Sequence, residues 1–487
     1  MARVRDASVV WDLVVVGGGA TGLGTAVDAA SRGYRTLLAE AEDFGKGTSS
    51  RSTKLIHGGV RYLRQGNLAL VRSALAERAI LLRNAPHVVG EIPFVVPAYR
   101  RRDAAWTAFG LRLYDALAGR HTRGRSRRIS AEETLALLPG VRPEGLVGGV
   151  TYRDARFDDG RLLVHLARTA AREGATVANR LAAVGVAGRG ARATLALEDR
   201  ETGERLEVAA RAIVNAAGPF ADDVRRLADA SAPPILRPSR GAHVVLDRAV
   251  LPGEAALLIP DAGGGRVVFL VPWRGRVLLG TTDVPVGRPE PEPRASRREV
   301  EDLLALAGRA LARAPSAMEI RSVFAGLRPL VRGVGATATL PRDHVVRVER
   351  SGLVTVTGGK WTTYRRMACD AVERAAAAAG LPARPCRTAD LPLDDATGPG
   401  SGATIGTTDI RAGDVVWAAR QEMARGVEDV LARRTAALFL DARAAAGAAP
   451  EVARLLAAEL GRDGEWERRE VEAFARLAGG YLPEGLA

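Results

Sequence analysis

The 487-residue sequence carries 70 Lys and Arg against 56 Asp and Glu, a formal net charge of +14, with 47% hydrophobic and 26% charged residues. That length buries a large core and predicts two or three domains, and the composition excludes a disordered or fibrous chain. Only Cys369 and Cys386 occur and the six histidines lack metal-ligand spacing, so neither a disulfide framework nor a metal is expected, while the positive charge favours anionic partners.

Arg3 and Arg5 ahead of an apolar run imitate a secretion signal, but that run, residues 11–16, reads as a buried strand the fold cannot lose. No stretch approaches the ~20 apolar residues of a membrane span, so a soluble or peripheral protein is expected. The strand runs into Gly17-Gly18-Gly19-Ala20-Thr21-Gly22, a G-x-G-x-x-G with Gly17, Gly19 and Gly22 as the spaced glycines. A helix to about Ser31, then Gly33, then a strand over residues 36–39 complete a βαβ unit that closes on Glu40. The acid stands where a ribose hydroxyl needs an acceptor. The first glycine permits the tight turn, the second lets the backbone approach a pyrophosphate, and the third packs helix on strand. From Ala20 and Thr21 the helix N-terminus then presents unpaired N–H groups to the phosphates. The unit predicts a bound dinucleotide.

Thr48, Ser49, Ser50, Lys54, Leu55, His57, Arg61 and Tyr62 follow closely. Taken alone, the stretch reads as a basic solvated loop; behind a dinucleotide motif it reads as part of a site. If residues 53–56 are helical, Gly58-Gly59 end the helix and aim His57 and Arg61 from its edge. Residues 67–84 have helical period and stop before Pro86, and residues 92–99 read as a strand edged by Pro93 and Pro97. Residues 106–117, with Trp106, Phe109 and Leu113, run into an arginine cluster at 120–128. This is either a core helix before a solvated loop or an interfacial helix whose basic rim meets anionic lipid.

A helix over 161–173 precedes a strand at 174–177 that returns to the first sheet, and residues 192–198 and 205–208 predict a hairpin. Residues 212–219 form an apolar strand ending in small residues, Ala216, Ala217 and Gly218, against which a cofactor can lie. From Ser239 the pattern turns antiparallel, with strands at 241–246, 255–259, 266–271 and 276–280, then Thr281-Thr282-Asp283. A proline-rich linker at 285–293 leads to a helix over 298–313. A strand at 353–357 turns through Gly358-Gly359-Lys360-Trp361-Thr362 into an Ala-rich helix ending near Gly380. That turn lacks P-loop spacing, but it brings a second helix N-terminus to the sheet edge, where a reduced flavin's negative charge is stabilised. Residues 391–406 read as a linker, and 415–446 and 450–477 as helices without identifiable chemistry.

In order along about residues 12–382, these stretches resemble FAD-dependent (aerobic-type) glycerol-3-phosphate dehydrogenases. The specific stretches are Lys54-Leu55-Ile56-His57-Gly58-Gly59 and Gly358-Gly359-Lys360, with Asn215 to Pro219, Gly280-Thr281-Thr282-Asp283 and Gly326-Leu327-Arg328-Pro329-Leu330 beside them. The likeness extends weakly through 422–441, and the tail is shorter than the family's around 398–408. The resemblance implies an α/β fold: a Rossmann-like, glutathione-reductase-like FAD-binding domain (1–75, 150–225, 320–395), an antiparallel-sheet, D-amino-acid-oxidase-like substrate domain (76–149, 226–319) and a C-terminal helical domain (396–487). It implies FAD held by Gly17, Gly19, Ala20, Thr21, Gly22, Glu40, Thr48, Ser49, Ser50, Lys54, Leu55, His57, Ala217, Gly218, Gly359, Lys360 and Thr362. The implied reaction takes sn-glycerol 3-phosphate to dihydroxyacetone phosphate and passes electrons to quinone. Hydride loss from a secondary alcohol needs a base, for which His57 and His243 are the candidates, with Lys360 beside the reduced flavin. Arg61, Arg328 and Lys360 match the phosphate-binding positions, with Tyr62 and Thr282 as neutral donors. The implied setting is cytoplasmic, peripheral on the anionic inner face of the cell membrane, with a homodimer admitted and nucleic acid not expected. Oxidation of an amino or hydroxy acid on the same scaffold is the alternative.

Overall fold

The computed structural model describes residues 1–59, 67–119, 124–188, 193–260, 267–333 and 344–485. Its first sheet is built around Val10–Val16, in which Leu13, Val14 and Val15 are fully buried, as a strand covered on both faces must be. Thr36–Ala39 and Arg205–Asn215 flank it in parallel. Val354–Gly358 and Thr176–Ala178 extend the parallel order on either side, and His344–Val348 closes one edge antiparallel. The Ala20–Ser31 helix crosses between the first two strands and is buried almost all round, packed against Tyr364–Ala378 and Asp159–Arg172. Parallel registers align Val16 with Ala39 and Asn215, so the strands end together where two helices begin. That edge is where an open α/β sheet binds ligands.

The second sheet carries Ser239–Asp247, Ala256–Pro260, Val267–Trp273 and Arg276–Gly280, joined to Val89–Ala98 and Gly148–Phe157. Arg274 and Gly275 both have positive φ, the conformation a two-residue hairpin turn demands. Ile320–Arg328 pairs with Ser239–Asp247 in a register that sets Arg328 opposite Ser239 and Phe324 opposite His243. Period-two alternation therefore puts Arg328 and His243 on one face. The stretches 150–157 and 320–328, grouped with the cofactor-binding unit in the sequence, supply strands to this second sheet.

Several elements differ from expectation. Residues 53–56 are not helical: Lys54 takes φ +59, which ends a helix, and Leu55–Ile56 pairs with Ala155 and Arg156 as a short strand. The two strands expected at 205–208 and 212–219 are one, Arg205–Asn215. Ile320–Arg328 and His344–Val348 were unmarked by any alternation in the sequence. The tail is broken where Met423 and Ala436 adopt positive φ, leaving helix Ala412–Gln421, a π-helical turn Asp429–Arg434 and helix Ala442–Leu460. Pro450 lies inside that last helix rather than at its start. Burial of Ala445, Ala449, Val452 and Leu456 on one face offsets its missing N–H.

Candidate active site

A cavity of about 1560 Å³ runs from the glycine motif across the face of the second sheet. Gly17, Gly19, Ala20, Thr21 and Glu40 line its first end. Gly17 has φ +111, and a Cβ there would stand 2.7 Å from the Ala216 carbonyl oxygen. Gly22 lies behind the cavity wall; a Cβ on it would meet the Gly17 oxygen at 1.8 Å, so it closes helix on strand as its place in the motif predicts. Gly19 caps the helix without any side-chain acceptor, which leaves amides directed at an incoming anion, although Ala20 N–H donates to Ser49 Oγ at 3.0 Å. Glu40 accepts from Gly18 N at 2.5 Å and Glu42 N at 2.8 Å. Burial pushes its carboxyl up, and those two N–H groups oppose the shift. A helix start whose N-cap residue has no capping side chain, an acidic side chain at a strand end and a long cavity together fit FAD.

Thr48, Ser49, Leu55, His57, Ala217, Gly218, Gly359, Lys360 and Thr362 line the same cavity. Trp361 Nε1 donates to the Ser49 carbonyl at 2.8 Å, and the Thr362 hydroxyl sits 3.3 Å from both backbone polar atoms of His57. The Gly-Gly-Lys turn and the 48–57 loop are thus tied together; Trp361 carried no sequence signal beyond its place in the turn. Two expected cofactor contacts turn away. Ser50 donates to the Gly45 carbonyl, and Lys54 Nζ donates to Asp159 at 2.6 Å and the Ser50 carbonyl at 2.7 Å. The Lys54 ammonium also lies 4.9 Å from the rings of Trp273 and Phe439. A buried ammonium needs such partners, so these side chains hold the loop rather than the cofactor.

At the other end of the cavity stand His57, His243, Arg328 and Lys360. His243 Nε2 lies 2.9 Å from Thr53 Oγ1, and its ring stacks on Phe324 at 4.9 Å. Burial first, then the positive charges of Arg328 and Lys54, drive its pKa well below the ordinary value, so it is neutral at pH 7. A Cβ on Gly280 would stand 2.3 Å from that ring. Arg328 reaches Thr281 Oγ1 at 3.1 Å, the Thr282 carbonyl at 3.0 Å and Asp283 Oδ1 at 3.5 Å. The Thr282 hydroxyl is already committed: it donates to Glu299 at 2.7 Å and accepts from Ala242 N at 2.8 Å. Its neighbour Thr281, named in the motif but not singled out, is the hydroxyl beside Arg328. Arg61 and Tyr62 lie outside the described residues.

From His57 an apolar arm lined by Phe94, Val96, Ile259 and Phe269 continues to Trp106 and Phe109 on the Arg101–Ala118 helix. That helix buries one face and exposes the other. Ala104, Ala108, Leu111 and Tyr114 face the core, whereas Trp106 is 74% and Phe109 66% exposed. No described helix is long and apolar enough to cross a membrane. Among the described residues one set of ligand atoms has metal-like spacing, Cys369, Asp370 and Glu373, and it does not line the cavity.

The FAD-dependent oxidoreductase family model matches residues 12–365, and that for the C-terminal domain of alpha-glycerophosphate oxidase matches residues 400–467. The chain is 36% identical to a mitochondrial glycerol-3-phosphate dehydrogenase of Arabidopsis thaliana, covering 95% of this chain and 85% of that protein. It is 38% identical to the human mitochondrial glycerol-3-phosphate dehydrogenase over 78% of this chain, and spans about half (55%) of the human protein. The structure of a glycerol-3-phosphate dehydrogenase from Bacillus halodurans complexed with FAD superposes with a TM-score of 0.78 at 26% identity, covering 99% of this chain and 97% of that one. A glycine oxidase from Geobacillus kaustophilus, 21% identical over 80% of this chain and 99% of that one, shares the fold with a TM-score of 0.57. A glycine cradle that fits FAD and matches that run through both the sheet domains and the helical tail lead to one assignment: the chain belongs to the FAD-dependent glycerol-3-phosphate dehydrogenase family.

Proposed function

We propose that the protein oxidises the secondary hydroxyl of sn-glycerol 3-phosphate to dihydroxyacetone phosphate and passes the electrons to a membrane quinone. The observation that carries this reading is the presence, in one cavity, of the dinucleotide cradle and two cations, Arg328 and Lys360. A three-carbon polyol offers little apolar area, so its affinity must come from the phosphate dianion. A forked guanidinium suits that dianion best. Arg61 and Tyr62 join the clamp in this proposal on the strength of the motif alone. His57 is the proposed base: it lines the cavity half-buried, whereas His243, on the same cavity, is buried, stacked on Phe324 and made the weaker base by burial and by the charges of Arg328 and Lys54. In this proposal His243 orients the substrate. Bound FAD supplies the hydride acceptor. Lys360, at the start of the helical turn Trp361–Thr363, would hold the cofactor there and would supply a positive charge to stabilise its reduced, anionic form. The apolar arm leading to the exposed Trp106 and Phe109 supports an apolar acceptor and a peripheral seat on the membrane's inner face.

The test is an anaerobic titration of the purified flavoprotein. Glycerol 3-phosphate should bleach the flavin absorbance, and a soluble quinone should restore it faster than dioxygen does. Bleaching by glycine or a 2-hydroxy acid, with none by glycerol 3-phosphate, would move the assignment to amino- or hydroxy-acid oxidation. Peroxide formed in step with turnover would make the protein an oxidase.

A further inference from the structure

The peptide unit that follows His57 is held at both ends by elements far along the chain. At one end the Thr362 hydroxyl lies 3.3 Å from the His57 carbonyl oxygen. At the other, Gly58 N–H donates to the Tyr114 phenol oxygen at 2.8 Å. Thr362 belongs to the Gly-Gly-Lys turn and Tyr114 to the Arg101–Ala118 helix, so one peptide plane is fixed from two sides.

Tyr114 is itself anchored. Its hydroxyl donates to Asp154 Oδ2 at 2.8 Å, and Arg78 Nη1 donates to Asp154 Oδ1 at 2.7 Å and to the Arg153 carbonyl at 3.2 Å. All three side chains are buried, and they come from three elements: the Leu68–Asn84 helix, the Gly148–Phe157 strand and the Arg101–Ala118 helix. Burial pushes the Tyr114 hydroxyl well above its ordinary value, so it keeps its proton. It therefore donates to Asp154 while it accepts from Gly58. The fit leaves no slack: a Cβ on Gly58 would stand 2.6 Å from the phenol oxygen and 2.7 Å from Leu75. Tyr114 does not line the cavity. A ring that only filled the core would be served by phenylalanine, which buries no polar group. Here the hydroxyl satisfies a backbone N–H immediately beside His57.

We propose that Tyr114 is a positioning residue for substrate oxidation: its hydroxyl pins the Gly58 amide and so fixes the direction from which the His57 imidazole meets the substrate hydroxyl. The inference rests on His57 as the base, as proposed above. Proton abstraction tolerates little error in placement, since a shift of about 1 Å costs on the order of 10²-fold in rate. The pinned peptide holds the backbone from which the His57 ring projects, while the ring's own cavity face stays open to substrate.

The experiment follows flavin bleaching by glycerol 3-phosphate in an anaerobic stopped flow, which separates the limiting reduction rate from the substrate Kd. FAD-loaded Tyr114→Phe should be reduced about 10–100-fold more slowly, with Kd within about threefold of the native value. Asp154→Asn keeps the phenol but loosens its anchor; as the second variant it should show the same split at smaller size. Val452→Ala, a buried change in the tail helix away from the cavity lining, is the stability control and should lower the urea midpoint without slowing reduction. Joined to His57→Asn, Tyr114→Phe should add nothing, because it acts through that ring. The inference falls if Tyr114→Phe is reduced at the native rate, if Val452→Ala slows reduction as much, or if the losses from His57→Asn and Tyr114→Phe multiply. Those outcomes leave the functional reading in place as long as glycerol 3-phosphate bleaches the native flavin and His57→Asn slows that bleaching. Failure of either of these removes the base assignment, and the role of Tyr114 with it.

Discussion

Arg328 is the residue on which the substrate proposal turns, because its guanidinium faces the cavity from a strand already fixed by Ser239–Asp247. A charge-assisted hydrogen bond contributes roughly 1.5–3 kcal/mol net. Arg328→Ala should lower kcat/KM for glycerol 3-phosphate by about one to two orders of magnitude while barely changing the poor turnover of glycerol. Arg328→Lys should recover part of the loss, since an ammonium cannot reproduce the fork. Equal losses on both substrates, or loss of bound flavin, would assign Arg328 to the frame around Thr281 and Thr282 instead. A second residue-level prediction concerns Gly280. Its missing Cβ is what gives the His243 ring room, so Gly280→Ala should destabilise by about 1–3 kcal/mol, read as a lower urea midpoint. Adding His243→Ala to that variant should relieve the clash, so the double change should cost less than the sum of the singles. Strict additivity would show that the methyl is accommodated elsewhere.

At the scale of elements, the Arg101–Ala118 helix carries two apolar faces with different partners. Its Ala104, Ala108, Leu111 and Tyr114 face packs on the second sheet, while Trp106, Phe109 and Leu113 face outward beside exposed Arg101, Arg102 and Arg112. Exposed aromatics rimmed by arginines fit an anionic interface, where each basic side chain contributes about 1 kcal/mol. Trp106→Ser with Phe109→Ser should release the protein from neutral and acidic vesicles alike in sedimentation; removing Arg125, Arg127 and Arg128 should weaken binding to acidic vesicles only. Co-sedimentation unchanged in both variants would leave the aromatic face without a membrane role. The sequence showed this helix, the βαβ unit and the short antiparallel strands because each carries its own period and its own stop signals. It hid elements whose shape is set from far along the chain. Lys54 is held at positive φ by a bond to Asp159, more than a hundred residues on, so local propensity at 53–56 misleads. Ile320–Arg328 has no alternation because both its faces are covered: Val323 and Ala325 pack into the second sheet's core, while on the opposite face Phe324 meets Phe439 of the tail and Ser322 donates to the Leu438 carbonyl. The Thr282 hydroxyl was misassigned for a similar reason, since Glu299 cannot be placed against it from the sequence.

For the molecule as a whole, the tail that shows no chemistry in the sequence grips the cofactor loop. Asp43 accepts both terminal nitrogens of Arg434 at 2.8 Å and Arg433 Nε at 2.5 Å, and all three side chains are buried. Arg433 continues to Asp429 at 2.7 Å, and Glu428 takes Lys46 at 2.6 Å. Arg51, in the same loop, pairs with Glu292 at 2.6 Å, and Glu292 accepts from Tyr481 of the tail at 2.7 Å. Lys46, Gly47, Thr48 and Ser49 line the cavity, so this network sets the cavity's wall from the tail side. Asp43→Asn would leave two buried guanidiniums facing a neutral amide, at a cost of about 3–5 kcal/mol. The variant should show a lower Tm and weaker retention of FAD at unchanged solution salt, because buried pairs are little screened. Acid should reveal the same network. Burial alone would raise the Asp43 carboxyl, but Arg434 and Arg433 override it and hold it well below the ordinary range. Burial likewise opposes Glu428, yet Arg433 and Lys46 bring it to about 2. A carboxyl depressed in the folded state contributes its full stability above its unfolded value, near pH ~4, and loses it as pH falls towards the folded value. Stability of the native protein should therefore fall steeply from pH ~4 to ~2, and the slope in Asp43→Asn should be shallower by about one proton. The comparison is Tm, or urea midpoint, against pH for the two proteins. Parallel curves would mean that Asp43 takes up no proton on unfolding, and the grip of the tail on the loop would have to rest on packing alone.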